Sequence, residues 1–315
     1  MRKSAIGGGV LIVLLAAAAF LLSRDRSYDR SFDTRVATPV YRDPGPVVLY
    51  DEGHHNAHKA SGAYKPVADM IRHDGYTFRT TDQPFTAPAL RGVSVLVLVT
   101  PQGSNPTSDS AAYSDAETTA ISDWVRGGGS LLLVVDHWPF GLAARSLARR
   151  FDVDLGGGFA EDPRYHDRER GESHIVFSEE NGLLRAHPIT QGRSAGERVR
   201  RVLTFTGTSL KGSAGAVPFL LLSDSATERP PGPARVVRDG GNVRVLMAYG
   251  DPLPAGGRAQ GIALESGRGR VVVLGDAGML RAQKERSGAL VGMNQPGYDN
   301  RQLALNIMQW LSRAM

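Results

Sequence analysis

Three short apolar runs set the fold class of this chain. Val47–Tyr50, Val93–Val99 and Leu131–Val135 are rich in Val and Leu and nearly free of polar residues. Strands that read this way are buried on both faces, as in parallel sheets covered by helices on each side. The intervening segments supply the helices. Tyr64–His73 carries Val67, Met70 and Ile71 at helical spacing and stops before Asp74-Gly75. Asp115–Arg126 places Ala116, Ala120, Ile121 and Trp124 on one face, and Ser114 with Glu117 three residues later forms a capping box. Tyr76–Thr80 fits a second strand and Phe140–Phe151 a further helix. This rhythm predicts an α/β fold with a mostly parallel, doubly wound, flavodoxin-like sheet.

The second half is less regular. Residues 156–200 read as an insertion, with glycines, many charges and no long apolar run. Arg201–Phe205, Phe219–Leu222 and Val243–Tyr249 read as strands, and 224–242, rich in Pro, Gly and Arg, as an exposed loop. Gly261–Glu265 and Arg270–Leu274 flank Ser266-Gly267-Arg268-Gly269 as a hairpin. Asn300–Arg313 is an amphipathic helix with Leu303, Ile307, Trp310 and Leu311 facing inward.

Ahead of the fold, residues 4–22 carry no charge and follow Arg2-Lys3. Nineteen residues at ~1.5 Å each make a helix of about 28 Å, close to a bilayer core. Ala17-x-Ala19 resembles a cleavage pattern, but the Phe20-Leu21-Leu22 that follow are unsuited to a mature start, so an uncleaved signal anchor fits better. Four Arg in 24–35, against two basic residues before the span, argue against an N-terminus-inside topology. A long exported domain behind an N-terminal anchor is nonetheless the common arrangement. The expected organisation is therefore a transmembrane helix at 1–23, a linker at 24–46 and one domain at 47–315. The chain would be single-pass in the inner membrane, its domain periplasmic.

Polar residues gather where the apolar runs stop. In open α/β sheets ligands bind beyond the carboxyl ends of the strands. The first run leads into Asp51-Glu52-Gly53-His54-His55-Asn56-Ala57-His58, the fourth strand into Asp136-His137 and the last into Gly275-Asp276-Ala277-Gly278. Asp51, His54, Asp136 and His137 are the candidate catalytic groups, and Glu52, His55, Asn56 and Asp276 the candidate ligand-binding ones. His54, His58 and Asp136 would suit zinc or manganese if they converged. Each also has a plainer reading: Asp136 and Asp276 can cap a helix or turn, and the histidines can be ordinary hydrogen-bonded residues.

Composition removes several classes. The chain has no cysteine, which excludes disulfides, thiolate metal sites and a cysteine nucleophile. Its net charge of +5 is spread among acids rather than drawn into a basic stripe with aromatics, so no nucleic-acid partner is expected.

Residues 47–150, with the tail Val271–Leu311, resemble a class I glutamine amidotransferase-like domain. The resemblance rests on Asp51-Glu52-Gly53-His54, on Gly128-Gly129 through Val135-Asp136, and on Gly275-Asp276-Ala277-Gly278 followed by Asp299-Asn300-Arg301-Gln302. It is similar to the domain type of bacterial envelope proteins and of the gliding-motility and intraflagellar-transport families. It implies an amidotransferase-like fold without thiol chemistry, because Asp136 stands in the elbow region where such enzymes carry cysteine. The expected function is a membrane-anchored envelope domain binding a small ligand such as a carbohydrate, or a protein partner. A metal-dependent or carboxylate/imidazole hydrolase and an accessory subunit of a transport complex are the alternatives.

Overall fold

The computed structural model describes residues 28–315 except 43, 105–109, 233–234, 240–241, 247 and 286. The proposed membrane span at 4–22 lies outside the described residues. Among those described, no helix is long and apolar enough to cross a membrane.

Side chains along the central strands alternate between two cores. These strands are β1 (Val47–Asp51), β3 (Val95–Val99), β4 (Ser130–Val134) and β9 (Gly269–Leu274). Val48, Tyr50, Val97, Leu132, Val134 and Val272 point into one layer, closed by α1 (Lys65–His73) and α5 (Asn300–Leu311). Leu49, Leu96, Leu98, Leu131, Leu133 and Val273 point into the other, closed by α2 (Asp115–Arg126) and the short α3 (Arg145–Arg149). Burial on both faces is why these strands read as unbroken apolar runs.

β2 (Thr77–Thr81) lies parallel to β1, β1 to β3, β3 to β4 and β4 to β9. That half bears out the expected parallel core. Beyond β9 the sheet turns antiparallel, through β8 (Ala259–Ser266), β6 (Leu210–Lys211) and β5 (Asp154–Leu155), with β7 (Val217–Leu221) also on β8. The result, among the described residues, is a mixed nine-stranded sheet rather than a mostly parallel one. A parallel neighbour needs a crossover, usually helical, and the sequence supplies none between these later strands. The β8–β9 hairpin turns at Gly267-Arg268, where Gly267 takes a φ of 60°.

Other expectations need correction. The helix expected over Phe140–Phe151 shrinks to a 3-10 turn at Leu142–Ala144 and α3, because Phe140 closes a turn on His137 and Gly141 sits at φ 107°. Within 156–200 lies an eight-residue strand, Gly171–Ser178, whose Ile175 and Phe177 are in the core, and a one-turn α4 (Pro188–Gln191). The supposed loop 224–242 contains Thr227–Arg229, which pairs with Phe159–Glu161 and Leu253–Pro254. It also supplies Arg235–Asp239, hairpinned with Asn242–Leu246.

Much of the expected linker is laid on the domain. Asp29 N donates to the Ala282 carbonyl (2.7 Å) and Val40 N to Asp74 Oδ1 (2.8 Å), while Phe32, Val36, Val40 and Tyr41 pack against the α1/α5 core. A cavity of about 340 Å³ separates this segment from the start of α1, lined by Tyr28, Phe32, Thr34, Lys65 and Asp69 among others.

Candidate functional site

The strand-end residues fall into two networks on opposite faces of the sheet. Asp51 follows Leu49 onto the α2 face and is fully buried. Its Oδ1 accepts from Gly53 N (3.0 Å) and His54 Nδ1 (2.8 Å); its Oδ2 accepts from Asn56 Nδ2 (3.2 Å) and the Tyr113 hydroxyl (3.1 Å). The far side of the His54 ring meets Glu117 Oε1 at 2.9 Å. The ring stacks on Phe85 (centroids 5.2 Å apart) and tilts against Tyr113 (4.5 Å). Burial alone would disfavour the imidazolium, but Asp51 and Glu117 outweigh it and hold His54 above its ordinary pKa. With a carboxylate on each ring nitrogen, His54 clamps the β1 loop to α2 and has no nitrogen left for a metal or a substrate proton.

The capping box expected at Ser114 is present, and its Glu117 doubles as the second jaw of this clamp. Asn56 ties the loop to β3 by donating to the Val99 carbonyl (3.0 Å). Glu52 accepts from Ala60 N (2.9 Å), closing the loop on itself. His55 is exposed, at a φ of 52°.

On the α1 face lie Asp136 and Asp276. Asp136 Oδ1 accepts from His137 N (2.7 Å) and Oδ2 from Ala277 N (3.1 Å). Asp276 accepts from Phe205 N and Met279 N, each at 2.5 Å. The plainer reading of Asp276 thus holds in part, since its bond to Met279 N pins the turn after β9. Asp136 caps no helix; it bridges the ends of β4 and β9. Burial, with the Asp276 charge added, pushes the Asp136 carboxyl well above the usual carboxylate range. Burial pushes Asp276 up to about 6, against the pull of its backbone hydrogen bonds and of Arg281. His137 Nε2 lies 3.8 Å from Asp136 Oδ1, and Nδ1 lies 2.9 Å from the Tyr249 hydroxyl.

His58 stacks on Tyr64 (5.3 Å), whose hydroxyl donates to the Ala277 carbonyl (2.8 Å). His54, His58 and Asp136 are not brought together: Asp51 and Glu117 hold His54 on the α2 face, while His58 stacks on Tyr64 and Asp136 bonds to Ala277 N on the α1 face. Among the described residues no group of three His, Asp or Glu side chains is placed to hold a metal ion. Asp51 and Asp136 likewise belong to two separate networks, with two strand spacings, about 10 Å, between β1 and β4.

Several residues that sequence reasoning passed over belong to these networks. Tyr113 and Glu117 complete the first. Tyr64, Arg281 and Gln260 join the second. Arg281 is only 9% exposed, and its Nε and Nη2 have no hydrogen-bond partner among the described residues; Gln260 is fully buried with both amide atoms in the same condition. Two β-branched residues sit in the left-handed region nearby: Thr100 after β3 (φ 40°) and Thr206 beside Asp276's donor Phe205 (φ 74°). Such conformations cost of order 1–3 kcal/mol and collect at functional sites. Only the left-handed φ values single out Thr100 and Thr206, and a sequence does not print them.

No protein-family profile matches the chain, and no curated protein does. Among solved structures it is similar to the mmIFT52 N-terminal domain, with a TM-score of 0.58 and 13% identity over 84% of this chain and 97% of that one. ThuA-like proteins from Bacteroides uniformis (TM-score 0.39, 14% identity, 90% of this chain and 95% of that one) and Parabacteroides merdae (0.41, 10%, 86% and 90%) are further neighbours. At such identity the first likeness shows a shared fold alone. It agrees with the fold that the resemblance to intraflagellar-transport domains implied.

Proposed function

We propose that this chain is an envelope protein, anchored by residues 4–22, whose α/β domain binds a small polar ligand on the α1 face. The ligand would lie at the ends of β4 and β9, around Asp136, Asp276 and Arg281. The observation that carries this reading is the pair of buried side chains, Arg281 and Gln260, left with polar atoms without partners near the ends of β4 and β9. Buried polar groups in native proteins are almost always satisfied, so orphans gathered in one place call for a group that the chain itself does not supply. Thiol amidotransferase chemistry is excluded by the absence of cysteine. One observation favours a hydrolase instead: His137 beside Asp136 is an imidazole/carboxylate pair at a strand end.

The test is thermal melting of the full-length protein in detergent against neutral sugars, sugar acids and phosphates. At least one class should raise the melting temperature of the wild type and not of Asp136→Asn. If no class does so, the binding reading falls. Turnover of chromogenic esters or glycosides lost in His137→Ala would move the assignment to the hydrolase. An export-dependent reporter fused after Met315 should be active, and activity only from a cytoplasmic reporter would remove the anchor.

A further inference from the structure

The geometry points to Arg281 as the residue that recognises an oxyanion, a carboxylate or a phosphate, on the ligand of this site. The inference rests on the ligand-binding reading above and narrows it to an anionic ligand.

Two guanidinium nitrogens of Arg281 are open. Nε and Nη2 form one edge of the planar group, with two parallel N–H bonds matched to the two oxygens of a carboxylate or phosphate. Among the described residues the same edge grips a single carboxylate in two other places. Arg35 grips Asp33 with Nε at 2.9 Å and Nη2 at 2.8 Å. Arg193 grips Glu197 with Nε at 3.0 Å and Nη2 at 2.5 Å. Arg281 presents this edge with neither nitrogen bonded and makes no ion pair among the described residues, although it is nine-tenths buried and those two pairs are far more exposed.

Neither Asp136 nor Asp276 fills the edge, for no carboxylate among the described residues lies within hydrogen-bond distance of Nε or Nη2. Both oxygens of Asp136 and both of Asp276 are engaged by backbone N–H groups. The arginine is equally fixed: its N–H donates to the Gly278 carbonyl, and its carbonyl accepts from Met293 N at 2.5 Å. A buried guanidinium held in place without a counter-ion on its bidentate edge is costly to desolvate, and water there would satisfy the hydrogen bonds but not the charge. Burial holds Asp136 towards its neutral form, so the nearby compensating charge is chiefly that of Asp276, which bonds to neither Nε nor Nη2.

Gln260 provides a second, separate mark. A Cβ placed on Gly207 would lie 2.7 Å from Asp276 Cβ and 2.9 Å from Gln260 Nε2, so the open amide is beside Asp276 and only glycine leaves room there. An amide nitrogen that can donate and an amide oxygen that can accept, both without partners, suit a hydroxyl on the same ligand.

The experiment uses the full-length protein in detergent at constant ionic strength. The probes are sodium D-glucuronate, inorganic phosphate and, as the neutral counterpart, D-glucose, with sodium chloride as reference. Glucuronate or phosphate should raise the wild-type melting temperature, and whichever does so names the source of the oxyanion. Arg281→Gln and Arg281→Lys should each weaken that probe about tenfold or more, Lys included because it keeps the charge and loses the fork. Arg35→Gln should leave it unchanged. Stabilisation by glucose alone would overturn the anion assignment and leave the binding reading standing; no response to any probe would remove both. Equal responses in wild type and Arg281 variants would also overturn it. Should the Arg281 variants fail to melt cooperatively, a crystal structure of the wild type grown with the responding probe decides: the probe on Nε and Nη2 supports the assignment, and only water there refutes it.

Discussion

Replacing Asp276 by asparagine tests the carboxylate pair through its pH dependence. Asp276 is fully buried, and burial raises its carboxyl from 3.8 to about 6. A carboxyl raised on folding binds its proton more tightly in the native than in the unfolded chain. Its stabilising contribution is therefore complete below 3.8 and is lost as the pH rises through about 6. Linkage between these two values removes about 2 kcal/mol of stability between pH 4.5 and pH 7.5. Asparagine does not titrate and also removes the charge that helps raise Asp136, so the difference between wild type and variant should shrink by at least about 2 kcal/mol over that interval. A constant offset lies beneath it: Phe205 N and Met279 N each use one carboxylate oxygen, and an amide offers only one acceptor, a loss of about 1–3 kcal/mol. His174 and His187, which burial pushes down to about 4, destabilise the native chain as the pH falls, but they do so in both proteins and cancel in the difference. The assay is urea unfolding followed by tryptophan fluorescence at several pH values. Parallel stability profiles for the two proteins would show that Asp276 titrates as an ordinary carboxyl and would refute the reasoning.

Three further outcomes are expected. Asp51→Ala removes the acceptor of four hydrogen bonds, two of them from the buried Asn56 and Tyr113, and should cost about 3 kcal/mol in equilibrium unfolding; an unchanged melt would remove Asp51 from the structural network. Glu117→Gln should lower the pH at which His54 titrates by NMR. Because His54 is raised on folding, its contribution is full below 6.5 and fades as the pH rises through the native value, so the variant should also flatten that slope, and an unshifted titration would mean that Glu117 does not reach the ring. Ser114→Ala removes the cap of α2 and should cost about 1 kcal/mol, checked by thermal melting, with no change counting against the capping box.

The parallel half of the fold was legible because its strands are buried on both sides and its helices carry a clear period. Val95–Val99 and Asp115–Arg126 could hardly read otherwise. The antiparallel half was not, since strands of two or three residues such as Leu210–Lys211 offer no period to count. Gly171–Ser178 was missed because only its last residues, Ile175 to Phe177, are buried, behind a polar start. For the candidate site, Asp51, Asp136 and Asp276 stand at or just past the ends of β1, β4 and β9, where the apolar runs stop in the sequence. What the sequence lacked was the face each side chain takes, which depends on where a strand ends to within one residue. Arg281 and Gln260 carry no sequence signal at all, because an arginine or glutamine is remarkable only once it is buried without a partner.

The pairing of β4 with β9 has a consequence for the order of folding. Val134 lies against Leu274 and Leu131 against Val271, so about 140 residues separate neighbouring strands in the middle of the sheet. Those residues carry the whole antiparallel half. At roughly 5–20 residues per second of synthesis, β4 waits on the order of ten seconds with one edge open. The helix α5, which completes the α1-face core, is made later still. A nascent chain stopped before residue 269 would thus expose the apolar edge and one face of β4 together, a surface suited to chaperone capture. Loss of the last fifty or so residues should be felt as failure of the whole parallel sheet rather than as loss of a tail.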